Sequence, residues 1–432
     1  MKKLLYPILF LVVFTSCRKE DPIPDTGITP EQAKDSLYYL MYTWYYWYNV
    51  MPVVNPADYN NPYSLMDAMR YKPLDRWSFV ADYDEFNAQM LGTFVGHGIR
   101  IGIDDSEKAR IAMIFSKSPL YTDGVRRGWI IKSINGVDIA PLIISGDAQA
   151  YNNVLGPANA GVTNTFIFQK PDGTEVTVSS AKSTFTVNSV LHYDTLNLSS
   201  GVTGHLVFES FIQPSSDELI TAFTFFKAHN VQDLILDLRY NSGGYLYIAQ
   251  TLASYITGDG PGSVNETFAK LQYNDKRQAA NTIYPFTITS YPLNLSRLVV
   301  ITTRLTASAS EAVMNGLKPY MEVISFGDTT NGKPAGMNGW DVGKKYWFWP
   351  VTFKMVNKNN EGDYFDGLSP AKVVTDDITH DFPDRSELCL KEAIYYLENG
   401  TVSGKGITGF KRYPQVSEKP EWMNNAFVIE KR

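Results

Sequence analysis

A chain of 432 residues with 44% hydrophobic and 19% charged residues is too apolar for a disordered polymer, and at roughly 100–200 residues per domain it has room for about two to four domains. The formal net charge of −6, with no long basic stretch, excludes nucleic acid as a partner. The two cysteines, Cys17 and Cys389, and the five scattered histidines form no metal-ligand spacing, so neither a metal site nor a cofactor is expected.

The N-terminus opens with Lys2 and Lys3, followed by an apolar run from Leu4 to Phe14. That run is shorter than the roughly twenty residues a membrane-spanning helix needs. Thr15 and Ser16 then precede Cys17. The pattern resembles a bacterial lipoprotein signal over residues 1–16, which implies cleavage before Cys17 and lipid on its thiol. An ordinary cleaved signal with an incidental cysteine is the alternative. Lipidation would place the protein in the cell envelope, held to a bacterial membrane, with the outer membrane expected. It would also leave Cys389 as a buried free thiol. Arg18-Lys19-Glu20-Asp21 is similar to the charged tract of surface-displayed lipoproteins in the Bacteroides group, and equally to plain linker charge. Residues 17–28, with Pro22, Pro24 and Gly27, read as a tether.

From Thr29 the periodicity turns helical. Thr29-Pro30-Glu31-Gln32 supplies an N-cap with proline at the first helical position, and Leu37, Leu40, Met41, Trp44 and Tyr45 recur at helical spacing. A second helix is predicted over Ser64–Arg70, making residues 29–90 a small helical domain. Residues 91–185 are strand-rich. A glycine-broken loop, Gly92 to Gly98, runs into a strand from Ile99. Further strands are predicted at 112–115, 129–134 (closed by Asn135-Gly136), 166–169 and 176–178, the last two flanking the turn Pro171-Asp172-Gly173.

Residues 186–400 alternate strand and helix. Strands are predicted at 206–208, 234–238 and 298–302, with helices at 216–229, 247–256 and 310–320. Such alternation specifies βαβ units on a largely parallel sheet. The tail, residues 401–432, is punctuated by Gly and Pro and reads as peripheral.

Sites in open α/β sheets gather at the carboxyl ends of strands. One such end is Asp237-Leu238-Arg239-Tyr240-Asn241-Ser242-Gly243-Gly244, whose glycines let backbone N–H groups converge on an anion. Taken alone it is also an ordinary strand-to-helix turn. Another follows Leu298–Thr302: Thr306-Ala307-Ser308-Ala309-Ser310-Glu311, then a helix. Ser308 or Ser310 can simply cap that helix. Small neighbours leave the Ser308 hydroxyl uncovered, however, and a helix N-terminus favours a developing oxyanion. Downstream, Gly332-Lys333-Pro334 places a lysine in a short loop. A solvated lysine there is inert, whereas a buried one becomes a usable base.

Residues 204–370 resemble the C-terminal processing peptidases, serine peptidases of family S41, on four ordered motifs. These are the strand and glycine pair from Leu234 to Gly244, Ser308-Ala309-Ser310-Glu311, Gly332-Lys333, and Gly367-Leu368-Ser369-Pro370. Lys333 follows Ser308 by 25 residues, the spacing usual in the family. Upstream, Gly96-His97-Gly98-Ile99, Ser118 to Val125 and Gly128 to Gly136 are similar to the family's PDZ motifs, with Trp129 where Asp is usual. The resemblance spans residues 29–400. It implies an α/β protein built from a helical N-terminal domain, a PDZ-like β-rich domain and a crotonase-like βαβ catalytic core.

The resemblance further implies Ser308 as nucleophile, Lys333 as general base, and an oxyanion hole from the amides of Gly243 and Ala309. It implies peptide capture at Gly96, His97, Gly98 and Ile99, and peptide or protein substrates cut near their C-termini. The family's lysine-orienting Gln falls on Met337 here, with Asn338 beside it as a candidate substitute, and Pro334 replaces the usual Gly. Two other functions fit the sequence. One is a non-catalytic PDZ-type peptide-binding lipoprotein on a decayed peptidase scaffold. The other is a glycan-binding surface built on Trp340, Tyr346, Trp347 and Trp349, although alternating aromatics more often wall a core or cleft. No pattern specifies an oligomeric state.

Overall fold

The computed structural model describes residues 27–258, 264–404, 412, 414–419 and 427–431. The signal, Cys17 and most of the tether therefore lie outside the described residues. The N-terminal helix Pro30–Trp44 begins where its cap dictates: the Thr29 hydroxyl accepts from the Gln32 amide while the Gln32 side chain accepts from the Thr29 amide. It buries Ala33, Leu37, Leu40 and Met41, one stripe at helical spacing. The second helix spans Pro62–Met69. The segment then departs from the all-helical expectation. Phe79–Asp82 is a strand paired antiparallel with Tyr346–Trp349, so this end of the segment is built into a sheet formed largely by residues far down the chain.

The β-rich unit is a meander of Ile99–Ile103, Ala109–Ile114, Ile130–Ile134, Thr163–Gln169 and Glu175–Ala181, each antiparallel to the next. Its isoleucines, with Phe166 and Phe168, form a separate core. Asn135 and Gly136 have φ of 51° and 79°, the paired positive values that a tight hairpin needs.

The α/β core follows the strand–helix alternation. Its sheet runs Lys372–Val373, Glu322–Gly327, Arg297–Thr302, Asp233–Asp237, Gly201–Phe208, Val190–Leu198, parallel throughout except for the last pair. Asp233–Asp237 is buried along its whole length, as a central parallel strand must be. A second, mainly antiparallel sheet carries Ala335–Val342, Tyr346–Trp349, Val351–Val356 and Thr267–Tyr273. Trp349 and Phe348 are fully buried there, and of the aromatics expected to wall a core or cleft Trp349 is thus core. Cys389 is a buried free thiol.

The tail corrects the sequence expectation. Instead of lying at the periphery, Gln415–Ser417 adds antiparallel to Ile99–Ile103, and Phe427–Lys431 inserts parallel between Gly243–Tyr245 and Ala335–Val342. Short strands of this kind have no hydrophobic periodicity to announce them, because their order comes from main-chain pairing on edges built elsewhere.

One charged network pins the first strand end. The Arg239 guanidinium, 1% exposed, pairs with Asp237 at 2.7 Å, Glu387 at 2.8 Å and Asp376 at 2.9 Å. Burial pushes the Asp376 carboxyl up, but Arg239 and Arg127 outweigh it and hold that group below its usual value. Arg239→Met would leave Asp237 and Glu387 without their counter-ion and is expected to cost about 3–5 kcal/mol. Urea denaturation reads this directly, and a loss below about 1 kcal/mol would show that the network does not anchor the loop.

Candidate active site

Three neighbouring strands of the parallel sheet, Asp233–Asp237, Arg297–Thr302 and Glu322–Gly327, end on the same side. The loops that leave them carry Gly243, Ser308 and Lys333 in turn. Hydrogen bonds stitch the first two loops together. The Ala307 amide and the Ser310 hydroxyl both donate to the Asn241 carbonyl at 3.0 Å, and the Thr306 hydroxyl donates to the Leu238 carbonyl at 2.8 Å.

Ser308 caps the helix Ala309–Leu317 with φ 58° and ψ −105°. This is a strained backbone for a residue with a Cβ, worth about 1–3 kcal/mol, and it persists only when its surroundings over-determine it. Glu311 supplies that constraint. One of its carboxylate oxygens accepts from the Ser308 amide at 2.7 Å and the Lys333 amide at 2.9 Å, the other from the Thr330 hydroxyl and the Gly332 amide at 2.6 Å each. Four donors fill the acceptor sites of an ionised carboxylate and leave no place for a proton. Burial pushes the Glu311 pKa up, and these donors hold it back. Gly332 can only be glycine: its φ is +92°, and an added Cβ would sit 2.3 Å from the Phe365 carbonyl oxygen.

Lys333 is 0% exposed. Burial holds its amine well below the usual lysine value, while the charges of Asp75 and Glu311 act in the opposite direction. The N-terminal segment closes over it. The Lys333 amine lies 5.7 Å from the centroid of the Trp77 ring. Arg76 donates to the Asn331 carbonyl at 2.9 Å, and the Trp77 indole N–H donates to the Asn331 side chain at 3.3 Å. Asp75 is itself saturated. It accepts from the hydroxyls of Tyr45 and Ser78 at 2.7 Å and from the amides of Trp77 and Ser78 at 2.9 Å.

The contacts expected of a Ser–Lys pair and its oxyanion hole are not made. Among the described residues the Ser308 hydroxyl has no hydrogen-bond partner, so no Ser308–Lys333 hydrogen bond is formed in this state. The Gly243 amide, expected in the oxyanion hole, donates to the Asn241 side-chain oxygen at 3.0 Å. The Ala309 amide belongs to the first-turn N–H groups that a helix leaves without an internal acceptor. Asn338 is buried on the strand after Lys333, and its side-chain oxygen accepts from the Thr352 hydroxyl at 2.8 Å. Met337 is buried beside it. Gly96, His97, Gly98 and Ile99 stand apart, at the edge of the β-rich unit.

The nucleophile motif includes Glu311 without giving it a role, although Ser-x-x-Glu before an apolar helix is the signature of a reciprocal cap. Asp75 and Trp77 carry no local signal.

Fold and site together define a member of peptidase family S41. The sequence profile of that family matches residues 202–379, and the profile of the peptidase S41 N-terminal domain matches residues 32–79. Over 319 residues the chain is 25% identical to the carboxy-terminal processing protease CtpB of Bacillus subtilis (strain 168), covering 73% of this chain and 60% of that protein. Over 270 residues it is 25% identical to a carboxyl-terminal-processing protease of a Picosynechococcus species, covering 62% and 61%. The chain thus spans about three-fifths of the length of these curated relatives. A crystal structure of a protein assigned to the S41 proteases in Bacteroides fragilis NCTC 9343 shares its fold, with a TM-score of 0.69, 24% identity, and coverage of 85% of this chain and 97% of that one.

Glu311→Gln would set an amide N–H₂ against two of the four donors and is expected to destabilise by about 3 kcal/mol or more. An unchanged urea midpoint would show that the carboxylate does not clamp the two loops.

Proposed function

We propose that this protein is a serine endopeptidase in which Ser308 attacks a backbone carbonyl and Lys333 takes its proton. The observation that carries the proposal is the wholly buried Lys333 amine, depressed in pKa by that burial, with its backbone held on the same carboxylate oxygen as the nucleophile's backbone. A neutral amine is a base. A solvated ammonium is not.

In the proposed sequence a peptide pairs with the cleft strands, and Ser308 turns its hydroxyl toward Lys333. Catalytic hydrogen bonds are often long or absent until substrate binds. The Ser308 oxygen then attacks as its proton passes to Lys333. The oxyanion collects on the amides of Ala309 and of Gly243, the latter released from Asn241. Lys333 next protonates the leaving amine, and water hydrolyses the acyl-enzyme. Each oxyanion donor is worth about 3–4 kcal/mol of barrier. Similarity to proteases named for carboxy-terminal processing supports substrates cut near their C-termini. The lipoprotein-like N-terminus supports an exported enzyme anchored to a bacterial membrane through Cys17. Among the described residues no helix is long and apolar enough to cross a membrane.

Ser308→Ala and Lys333→Ala are each expected to abolish cleavage of a casein-derived peptide without unfolding the protein. Residual wild-type rates in either variant would end the proposal.

The pH dependence follows from the depressed amine. Below its folded pKa Lys333 is protonated and no base exists, so hydrolysis falls as pH drops through that value. Asp75→Asn removes an anion that favours the charged amine, which lowers the pKa further and moves the acid limb of the rate profile to lower pH. A limb that stays put, or moves up, contradicts this. Stability follows pH in the same sense. Between the depressed folded value and the ordinary 10.5 the unfolded chain binds the extra proton, so native stability is penalised there and recovers as pH rises. Lys333→Met is therefore expected to stabilise the inactive protein by about 1–4 kcal/mol near neutrality. The gain, read from paired urea titrations, should vanish toward pH 10.5.

A further inference from the structure

We propose that the tail of this chain is a built-in occupant of both its peptide-binding surfaces, and that substrate enters by displacing it. The proposal rests on the peptidase reading for its consequence but not for its geometry.

The first surface is the open edge of the β-rich unit. Gln415, Val416 and Ser417 pair antiparallel with Gly102, Ile101 and Arg100, on the edge of Ile99–Ile103 that would otherwise be free. Val416 packs against the core of that unit. Glu418 follows at once, and its carboxylate accepts from the His97 amide at 2.9 Å and the Gly98 amide at 2.9 Å. Two successive amides aimed at one carboxylate form an anion nest, and strand addition ending on such a nest is how a peptide terminus is captured. Gly98 has φ +71°, and a Cβ there would meet Phe185 and Ser118 at 2.6 Å, so the loop is shaped for this contact. Glu418 supplies the carboxylate that a peptide in trans would bring.

The second surface is the catalytic cleft. Phe427, Val428 and Ile429 pair with Gly243, Gly244 and Tyr245, while Ile429, Glu430 and Lys431 pair with Met337, Asn338 and Gly339. The tail strand thus begins opposite the glycine assigned to the oxyanion hole and reaches the strand that leaves Lys333. A strand edge pairs once. No peptide can use these edges while the tail does, and Ser308 and Lys333 are both 0% exposed in this state.

Side-chain anchors tie the same stretch to the α/β core as well. Arg412 pairs with Asp328 at 2.5 Å, Gln415 donates to Asp376 at 3.0 Å, and Lys419 forms a buried ion pair with Glu209. A tethered occupant acts at an effective concentration of about millimolar, so a free peptide of modest affinity competes poorly until the tail is loosened.

The test uses the full chain in a Ser308→Ala background, so that binding is read without hydrolysis. The probe is a fluorescently labelled synthetic peptide spanning residues 412–432. Glu418→Ala combined with Val416→Pro weakens the tail on the β-rich edge and touches no group of the proposed chemistry. The variant is expected to bind the probe about tenfold tighter than the parent. Equal affinity, with an unchanged urea midpoint, overturns the proposal. Should the midpoint fall, a second variant decides. Ile101→Cys with Val416→Cys, in a Cys17→Ser chain, locks the tail in place when oxidised. The oxidised form is expected to bind probe about tenfold more weakly than the reduced form, and equal binding again overturns the proposal. With Ser308 restored, Glu418→Ala should lower KM for a peptide substrate at constant kcat. Probe binding that follows the tail variants while no variant hydrolyses any peptide would sink the peptidase reading and leave the tail assignment standing.

Discussion

The arrangement depends on one buried carboxylate. Glu311 sits one helical turn into the helix that follows Ser308 and has nowhere to place its charge except on the donors of three neighbouring residues and Ser308 itself. A buried anion is tolerated only when fully hydrogen-bonded. The loop after Glu322–Gly327 must therefore present Thr330, Gly332 and Lys333 to it, and Ser308 must accept a strained backbone to do the same. The desolvation that makes an unpaired Glu311 intolerable is thus what fixes the distance between the main chains of Ser308 and Lys333. Strain at Ser308 and the positive φ of Gly332 are local costs offset by this single satisfied group.

The lysine occupies the complementary position. Its amine lies in a region where burial favours the neutral form, while two saturated carboxylates, Asp75 and Glu311, favour the charged one. Because each carboxylate already has four donors, neither needs the amine as a partner, and their effect reaches Lys333 as field more than as contact. Burial outweighs both. The N-terminal segment controls this balance, for it supplies Asp75, the Trp77 ring and the contacts of Arg76 to the lysine loop. A segment that looks in the sequence like a small helical appendage covers Lys333.

The parts of this site that are legible in the sequence are those encoded by local pattern. Apolar strands running into Gly243-Gly244, Ser308 and Gly332-Lys333 announce themselves because a parallel sheet places its loops at strand ends and because glycine marks backbone that no other residue can adopt. The helix start at Thr29 is readable from capping chemistry, and the one after Ser308 from Glu311 reaching back to the Ser308 amide. Asp75 is not, since nothing near it in sequence distinguishes a carboxylate that acts on Lys333, 258 positions later, from a surface turn. Asn241 is visible only as part of a motif, and its grip on the Gly243 amide belongs to a resting conformation that no motif describes. The tail misleads for a similar reason. Strands such as 415–417 take their order from an edge supplied by residues three hundred positions earlier, and so carry no hydrophobic signature of their own.

Three features of the resting site agree with one another. The Ser308 hydroxyl is unpartnered, the Gly243 amide is tied to Asn241, and the cleft strands are paired with residues 427–431. Together they describe a cleft that is assembled in its main chain but not yet committed in its side chains. Main-chain preorganisation is cheap to maintain, because Glu311 and the Arg239 network hold it whether or not a peptide is present. In the proposed peptidase, leaving the side-chain adjustments to an arriving strand would couple hydrolysis to pairing along the whole cleft and convert binding energy far from the scissile bond into alignment at Ser308.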